Sequence, residues 1–213
     1  MKIVRPFVLA LLAYGLYEAW RHRSTILHSR VFPAFLLWLA FQIYWSASAR
    51  NSAPTKTSES RASTAFHQIV LNVAYLLLFW AAPGLKGWFL PPQLHFLVPL
   101  GTGIEAAFIL LAVWARRHLG RNWSAEVRIG EGHQLVRTGP YRLLRHPIYT
   151  AVLGMCVGTA IASGQYHALL SVVMVLLAYI RKSRLEEKIL RQQFGAEYDD
   201  YRRHTWALVP LVY

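Results

Sequence analysis

Apolar residues along this chain gather into blocks of about 15–20. They do not form the strict alternation of a half-buried strand, and no block shows the one-sided stripe of a surface helix. Six blocks stand out, at residues 3–20, 31–49, 65–82, 96–115, 147–162 and 167–180. A helix needs about 20 apolar residues to cross hydrocarbon. The pattern therefore predicts an all-α, polytopic transmembrane helical bundle of about six spans. Only Ser163-Gly164-Gln165-Tyr166 separates the last two blocks, which predicts a tight C-terminal helical hairpin.

Composition agrees with a membrane protein. The 213 residues are 55% hydrophobic and only 15% charged, against about 25% charged in soluble domains. Charge adds an orientation. In a six-span chain the N-terminus, residues 50–64, residues 115–146 and the tail after residue 180 share one side. That side holds 19 of the 23 lysines and arginines, and the other holds Arg21, Arg23, Arg30 and Lys86. The positive-inside rule then places both termini in the cytoplasm, of either a bacterial inner membrane or an endoplasmic reticulum. The first block lacks a small-residue cleavage site and reads as a retained span. Anionic lipid headgroups account for the net charge of +13, so no nucleic-acid partner is expected. The single Cys156 lies in an apolar block, and the nine histidines show no H-x-x-x-H spacing. No metal site is expected.

The chain divides at residue 115. Residues 1–115 read as a four-span scaffold and residues 116–213 as the catalytic region. Residues 50–64 are polar, without aromatics, and read as a mobile cytoplasmic loop. Gly101-Thr102-Gly103 and Ala106 match a loose dinucleotide-binding pattern, but that pattern needs a strand before it and a helix after it. Inside an apolar block, small-residue helix packing is the expected role. Gly154 and Gly158 are spaced for close helix approach, and block six is the expected partner. Glu105 sits at membrane depth, where a carboxylate must face the bundle interior, either as a structural hydrogen bond or in a ligand cavity.

Groups suited to chemistry concentrate in the catalytic region. The loop before block five carries His133-Gln134-Leu135-Val136, Gly139-Pro140-Tyr141 and Arg145-His146-Pro147-Ile148-Tyr149. The tail carries Arg181-Lys182-Ser183-Arg184-Leu185-Glu186-Glu187, then Phe194-Gly195 with Tyr198 and Tyr201. A tight hairpin turn makes the two ends of the hairpin emerge side by side. Residues 145–149 and 181–187 should therefore converge on one interfacial pocket.

The order H-x-L-V-x-x-G-P-Y-x-x-x-R-H-P-x-Y, hairpin, E-E-x-x-L-x-x-x-F-G-x-x-Y-x-x-Y resembles the isoprenylcysteine carboxyl methyltransferase family of integral membrane enzymes. The resemblance covers residues 133–201. It implies S-adenosylmethionine as cofactor, bound by His133, Gln134, Leu135, Val136, Tyr141, His146, Pro147, Ile148, Tyr149 and Glu186. It also implies that Arg145, Lys182 and Glu186 carry the catalysis. Lys182, with Arg181 and Arg184, would face the acceptor; relatives commonly have arginine where this chain has Lys182. The reaction implied is carboxyl O-methylation of a prenylcysteine-like or other lipophilic acceptor entering from the bilayer. Alternatives are methylation of a lipid amine or small amphiphile, and an NADPH-dependent oxidoreductase of the sterol-reductase type. Successive helix residues point about 100° apart, so Glu186 and Glu187 cannot face one pocket equally. The stripe Leu185–Ile189 predicts Glu186 inward, and Glu187 on a solvated face beside Arg191.

Overall fold

A computed structural model describes residues 29–48, 57–58, 60–80, 85, 87–120, 128–129 and 135–210. The expected first span at 3–20, most of the 50–64 loop, and His133 and Gln134 lie outside the described residues. Six helices are present: α1 (Phe32–Ser48), α2 (Arg61–Phe79), α3 (Leu97–Leu119), α4 (Pro147–Ser163), α5 (Tyr166–Phe194) and α6 (Ala196–Arg203). A 3-10 turn, Gly139–Arg142, precedes α4. Among the described residues the strands form one two-residue antiparallel ladder, β1 (Thr57–Ser58) with β2 (Arg128–Ile129), which pairs Thr57 with Ile129 and Ser58 with Arg128.

Five of the six apolar blocks coincide with helices, with shifted limits: α2 begins four residues before its block, and α3 and α5 run past theirs. Helix α3 runs four residues past its block and ends on Arg116, Arg117 and His118, cations that suit the negative end of the helix dipole. Helix α5 does not stop at the end of its block. It continues unbroken for 29 residues, so the apolar span and the charged segment carrying Glu186 are one rigid rod. Among the described helices, α2 and α3 are long and apolar enough to cross a membrane by length and composition, and α4 is apolar but 17 residues long.

Helix α4 is the centre of the bundle, buried on nearly every side, as expected of a helix apolar all round. Its most extensive packing is against α3, while α2 packs mainly on α5. The α3–α4 approach is set by glycines. A Cβ on Gly158 would lie 2.5 Å from the carbonyl oxygen of Gly101 and 2.8 Å from the amide nitrogen of Glu105; one on Gly154 would enter the ring of Phe108. The pair Gly154 and Gly158 therefore receives α3, and not α5 as the sequence suggested. The small-residue face of α3 was itself disguised as a nucleotide motif. Glu105 is fully buried at the same seam. Thr159 donates to its Oε2 at 3.0 Å, and the Trp38 indole donates to Thr159 at 3.0 Å, which ties α1, α3 and α4 together.

At the far end of the hairpin, Gly164 takes φ +70° and closes α4 by donating its N–H to Ala160, a left-handed turn that glycine adopts without strain. Phe89 and Leu90 both donate to the Gly164 carbonyl, and Tyr166 donates to Gly87. The turn is thereby capped by the segment before α3.

Two glycines of one apparent motif now have opposite expectations. Gly101→Ala should destabilise the detergent-solubilised protein by about 1–3 kcal/mol, the range for overpacking. No atom lies within 4 Å of a Cβ on Gly103, so Gly103→Ala should be neutral or gain up to about 1 kcal/mol of helix propensity. Thermal unfolding midpoints of the two variants check this.

Candidate functional site

The site forms where the start of α4 meets the charged end of α5. Pro147 occupies the first helical position of α4, where its missing N–H costs nothing, and His146 is the residue just before it. The preceding strand-like stretch is held by the chain that follows α6. Arg145 and His146 donate their N–H groups to Trp206 and Ala207 at 2.8 and 3.1 Å, and Trp206 donates back to Leu143 at 3.1 Å. Thr150 adds a side-chain bond to the Leu208 carbonyl at 2.5 Å.

Against this edge α5 presents two carboxylates, with the buried His146 ring between them. Its Nδ1 lies 3.2 Å from Glu186 Oε2, and its Nε2 lies 3.3 Å from Glu187 Oε1. With an acceptor at each nitrogen, the imidazolium is the form that donates twice. Burial alone pushes the His146 pKa down, but hydrogen bonds and charge from Glu186 and Glu187 outweigh it and leave the pKa above its ordinary 6.5. Glu187 also receives Arg145 Nε at 2.7 Å and faces Arg202 Nε at 3.5 Å. Burial pushes its carboxyl up, and the bonds from His146 and Arg145 override this and hold it down at about 2. Arg145 is fully engaged, since its other end donates to the carbonyls of Arg202 and Thr205.

Rings complete the wall. The Tyr149 hydroxyl donates to Glu186 Oε1, and its ring stacks with His146 at 5.5 Å and with Tyr179 at 4.5 Å, within 11° of parallel in both cases. Tyr141 is buried on the 3-10 turn; its carbonyl accepts from Tyr201 at 2.6 Å, and its ring stacks on His118. Burial pushes the Tyr141 hydroxyl well above its usual range. An open recess of about 570 Å³ lies alongside, lined by His118, Leu135, Val136, Arg137, Thr138 and Glu197.

The structure thus brings Arg145, His146, Tyr149 and Glu186 together, with Pro147 and Ile148 buried at the base of α4 and Leu135 and Val136 at the recess. Lys182 is buried on α5, one turn before Glu186. The other two basic candidates diverge. Arg181 turns to α2, bonding Ser63 and lying 5.3 Å over Phe66, and Arg184 is exposed. The expectation for Glu187 is overturned. It is the more buried carboxylate, side chain 11% exposed against 20% for Glu186, and Arg191 pairs instead with Asp199. The helix phase read from the apolar stripe ignored the cations arriving from outside the helix. Residues 202–208, His118 and Tyr179 escaped the sequence reading. Only Tyr179 left a legible signal, its placement seven residues before Glu186 on one helix face.

The sequence profile of the phospholipid methyltransferase family matches residues 97–197. Protein-S-isoprenylcysteine O-methyltransferase A of Arabidopsis thaliana is 32% identical over 142 residues, covering 65% of this chain and 68% of that protein. A probable protein-S-isoprenylcysteine O-methyltransferase of Oryza sativa subsp. indica is 33% identical over 44% of this chain and 50% of its own length. The eukaryotic intramembrane Ras methyltransferase ICMT (isoprenylcysteine carboxyl methyltransferase) shares the fold, with a TM-score of 0.54 at 20% identity over 72% of this chain and 54% of that one. A helical bundle is the fold this chain shares with that methyltransferase. The chain belongs to the isoprenylcysteine O-methyltransferase family. The match spans about half the length of the rice relatives.

The clasp has a pH signature. His146 has a raised pKa, so its pairing contributes fully below about pH 6.5 and is lost as pH rises through the raised value. Glu187 has a lowered pKa, so its contribution is present above about pH 4.5 and is lost as pH falls toward about 2. Unfolding midpoints measured across pH should therefore decline on both sides of that window. His146→Gln should flatten the alkaline decline and Glu187→Gln the acid one.

Proposed function

We propose that this protein is an integral membrane methyltransferase dependent on S-adenosylmethionine, acting by carboxyl O-methylation on a prenylcysteine-like or other lipophilic acid. The observation that carries the reading is His146 held between Glu186 and Glu187 beside a stacked tyrosine wall. Family membership supports it. The cofactor fits the groups present: the half-buried Glu186 carboxylate as an acceptor for polar groups, aromatic faces for adenine or a cation, and the open recess beside Leu135 and Val136. Residues that would hold it are His133, Gln134, Leu135, Val136, Tyr141, His146, Pro147, Ile148, Tyr149 and Glu186.

S-adenosylmethionine, when bound, supplies a methyl group on a sulfonium centre, open to in-line attack. The chain needs no general base for an acceptor that is already a carboxylate. Its residues orient reactants and exclude water, effects worth up to about 7–11 kcal/mol. Glu186 and the aromatic wall orient the donor. Lys182, one turn below Glu186, is proposed to face the acceptor carboxylate. Arg145 works as a positioning residue, since its guanidinium is committed to Glu187 and to two carbonyls. The acceptor would arrive from the bilayer and the cofactor from the cytoplasm, within a six-span topology with both termini cytoplasmic.

The phospholipid methyltransferase profile favours a second reading, methylation of a lipid amine, for which a lysine in the place of a family arginine is also compatible. Binding of S-adenosylhomocysteine to detergent-purified protein tests the shared core of both. Saturable binding is expected, weakened at least about tenfold, or about 1.4 kcal/mol, by His146→Ala and by Tyr149→Ala. No binding by the intact protein, or native affinity in both variants, would contradict the assignment. Turnover on a prenylcysteine analogue against a phosphatidylethanolamine acceptor then separates the two readings.

A further inference from the structure

We infer that Tyr179 is a positioning residue of this site, held in place by His67 and Tyr75 from α2. The inference rests on the methyltransferase reading above. Tyr179 lies about two helical turns before Glu186, so both project from one face of α5. Its ring is buried and makes the closest stacked pair in the cluster, 4.5 Å from Tyr149 and 11° from parallel. Tyr149 is the ring whose hydroxyl donates to Glu186. The Tyr179 ring therefore reaches the carboxylate through one intermediate, and sets where that hydroxyl sits.

Tyr179 is itself fixed from the other half of the chain. The buried His67 ring lies 5.9 Å away at 52°, and Tyr75 packs against the same buried cluster as Tyr179. Both come from α2, in the stretch that the sequence assigns to scaffold. One side of Tyr179 is thus fixed by α2, while its contact with the site is the ring face. The ring, rather than the hydroxyl, is what the site requires. A bystander in the core would affect stability alone. A positioning residue must also change ligand affinity, and must do so through Tyr149.

The test is a double-mutant cycle on the full chain in detergent, reading S-adenosylhomocysteine affinity, with thermal midpoints recorded for each variant. Tyr179→Leu should weaken binding by about fivefold or more, and Tyr179→Phe, which keeps the ring, should restore it to within about twofold of the native protein. Tyr149→Leu combined with Tyr179→Leu should bind no more weakly than Tyr149→Leu alone, because one acts through the other. Native affinity in Tyr179→Leu, additive losses in the cycle, or a Phe variant as impaired as Leu would each overturn the inference. If Tyr179→Leu cannot be purified folded, Tyr179→Met, nearer the native volume and likewise without a ring, takes its place with the same two outcomes. An intact protein that binds no S-adenosylhomocysteine overturns the methyltransferase reading together with this one; intact binding with an insensitive Tyr179 overturns this one alone.

Discussion

A buried imidazole between two carboxylates organises this protein. His146, Glu186 and Glu187 come from the two ends of a hairpin, and none of the three could be buried with its charge alone. Arg145 extends the cluster to the tail through Glu187 and the carbonyls of Arg202 and Thr205. Magnitudes identify this as the joint. The exposed pairs Arg191–Asp199 and Arg203–Asp200 are each worth about 0–1 kcal/mol. Removing one member of a buried pair costs about 3–5 kcal/mol, because the partner is left unpaired. The site's shape therefore depends on charges that must all be present together.

The fold delivers those charges accurately because its elements are rigid. Helix α4 is clamped to α3 by glycines that allow backbone contact, and α5 runs unbroken from its apolar half to the charged end. The Glu186–Glu187 pair is therefore placed by the packing of the whole hairpin and not by a flexible loop. The chain after α6 closes the arrangement by pairing its backbone with residues 143–146. Membrane packing and site chemistry share the same residues at this end of the molecule.

Much of this was legible in the sequence. Five apolar blocks marked helices, four of them within a few residues at both ends and α5 at its start only, and the Gly164 turn was visible as a break between two of them. The convergence of His146, Tyr149 and Glu186 followed from the shortness of that turn. What failed did so for one physical reason: sequence periodicity sees neighbours on an element, not those arriving from elsewhere. Glu187 looked solvated because Arg191 is its local partner, yet Arg145 and His146 are nearer in space. Gly154 and Gly158 announced a close approach without naming the helix, and α3 rather than α5 takes it. Residues 202–208 bear no motif, because apart from the Arg202 side chain beside Glu187 they act through backbone groups that any sequence offers.

The central claim is that His146 is an imidazolium held by two carboxylates. It can be read directly by NMR of the detergent-solubilised protein labelled with ¹⁵N at histidine, the His146 signals being those absent from His146→Gln. The clasp predicts both ring nitrogens predominantly protonated at pH 6.5, with the pair persisting to higher pH than an ordinary histidine allows. A neutral His146 ring at that pH, with one nitrogen unprotonated, would contradict it.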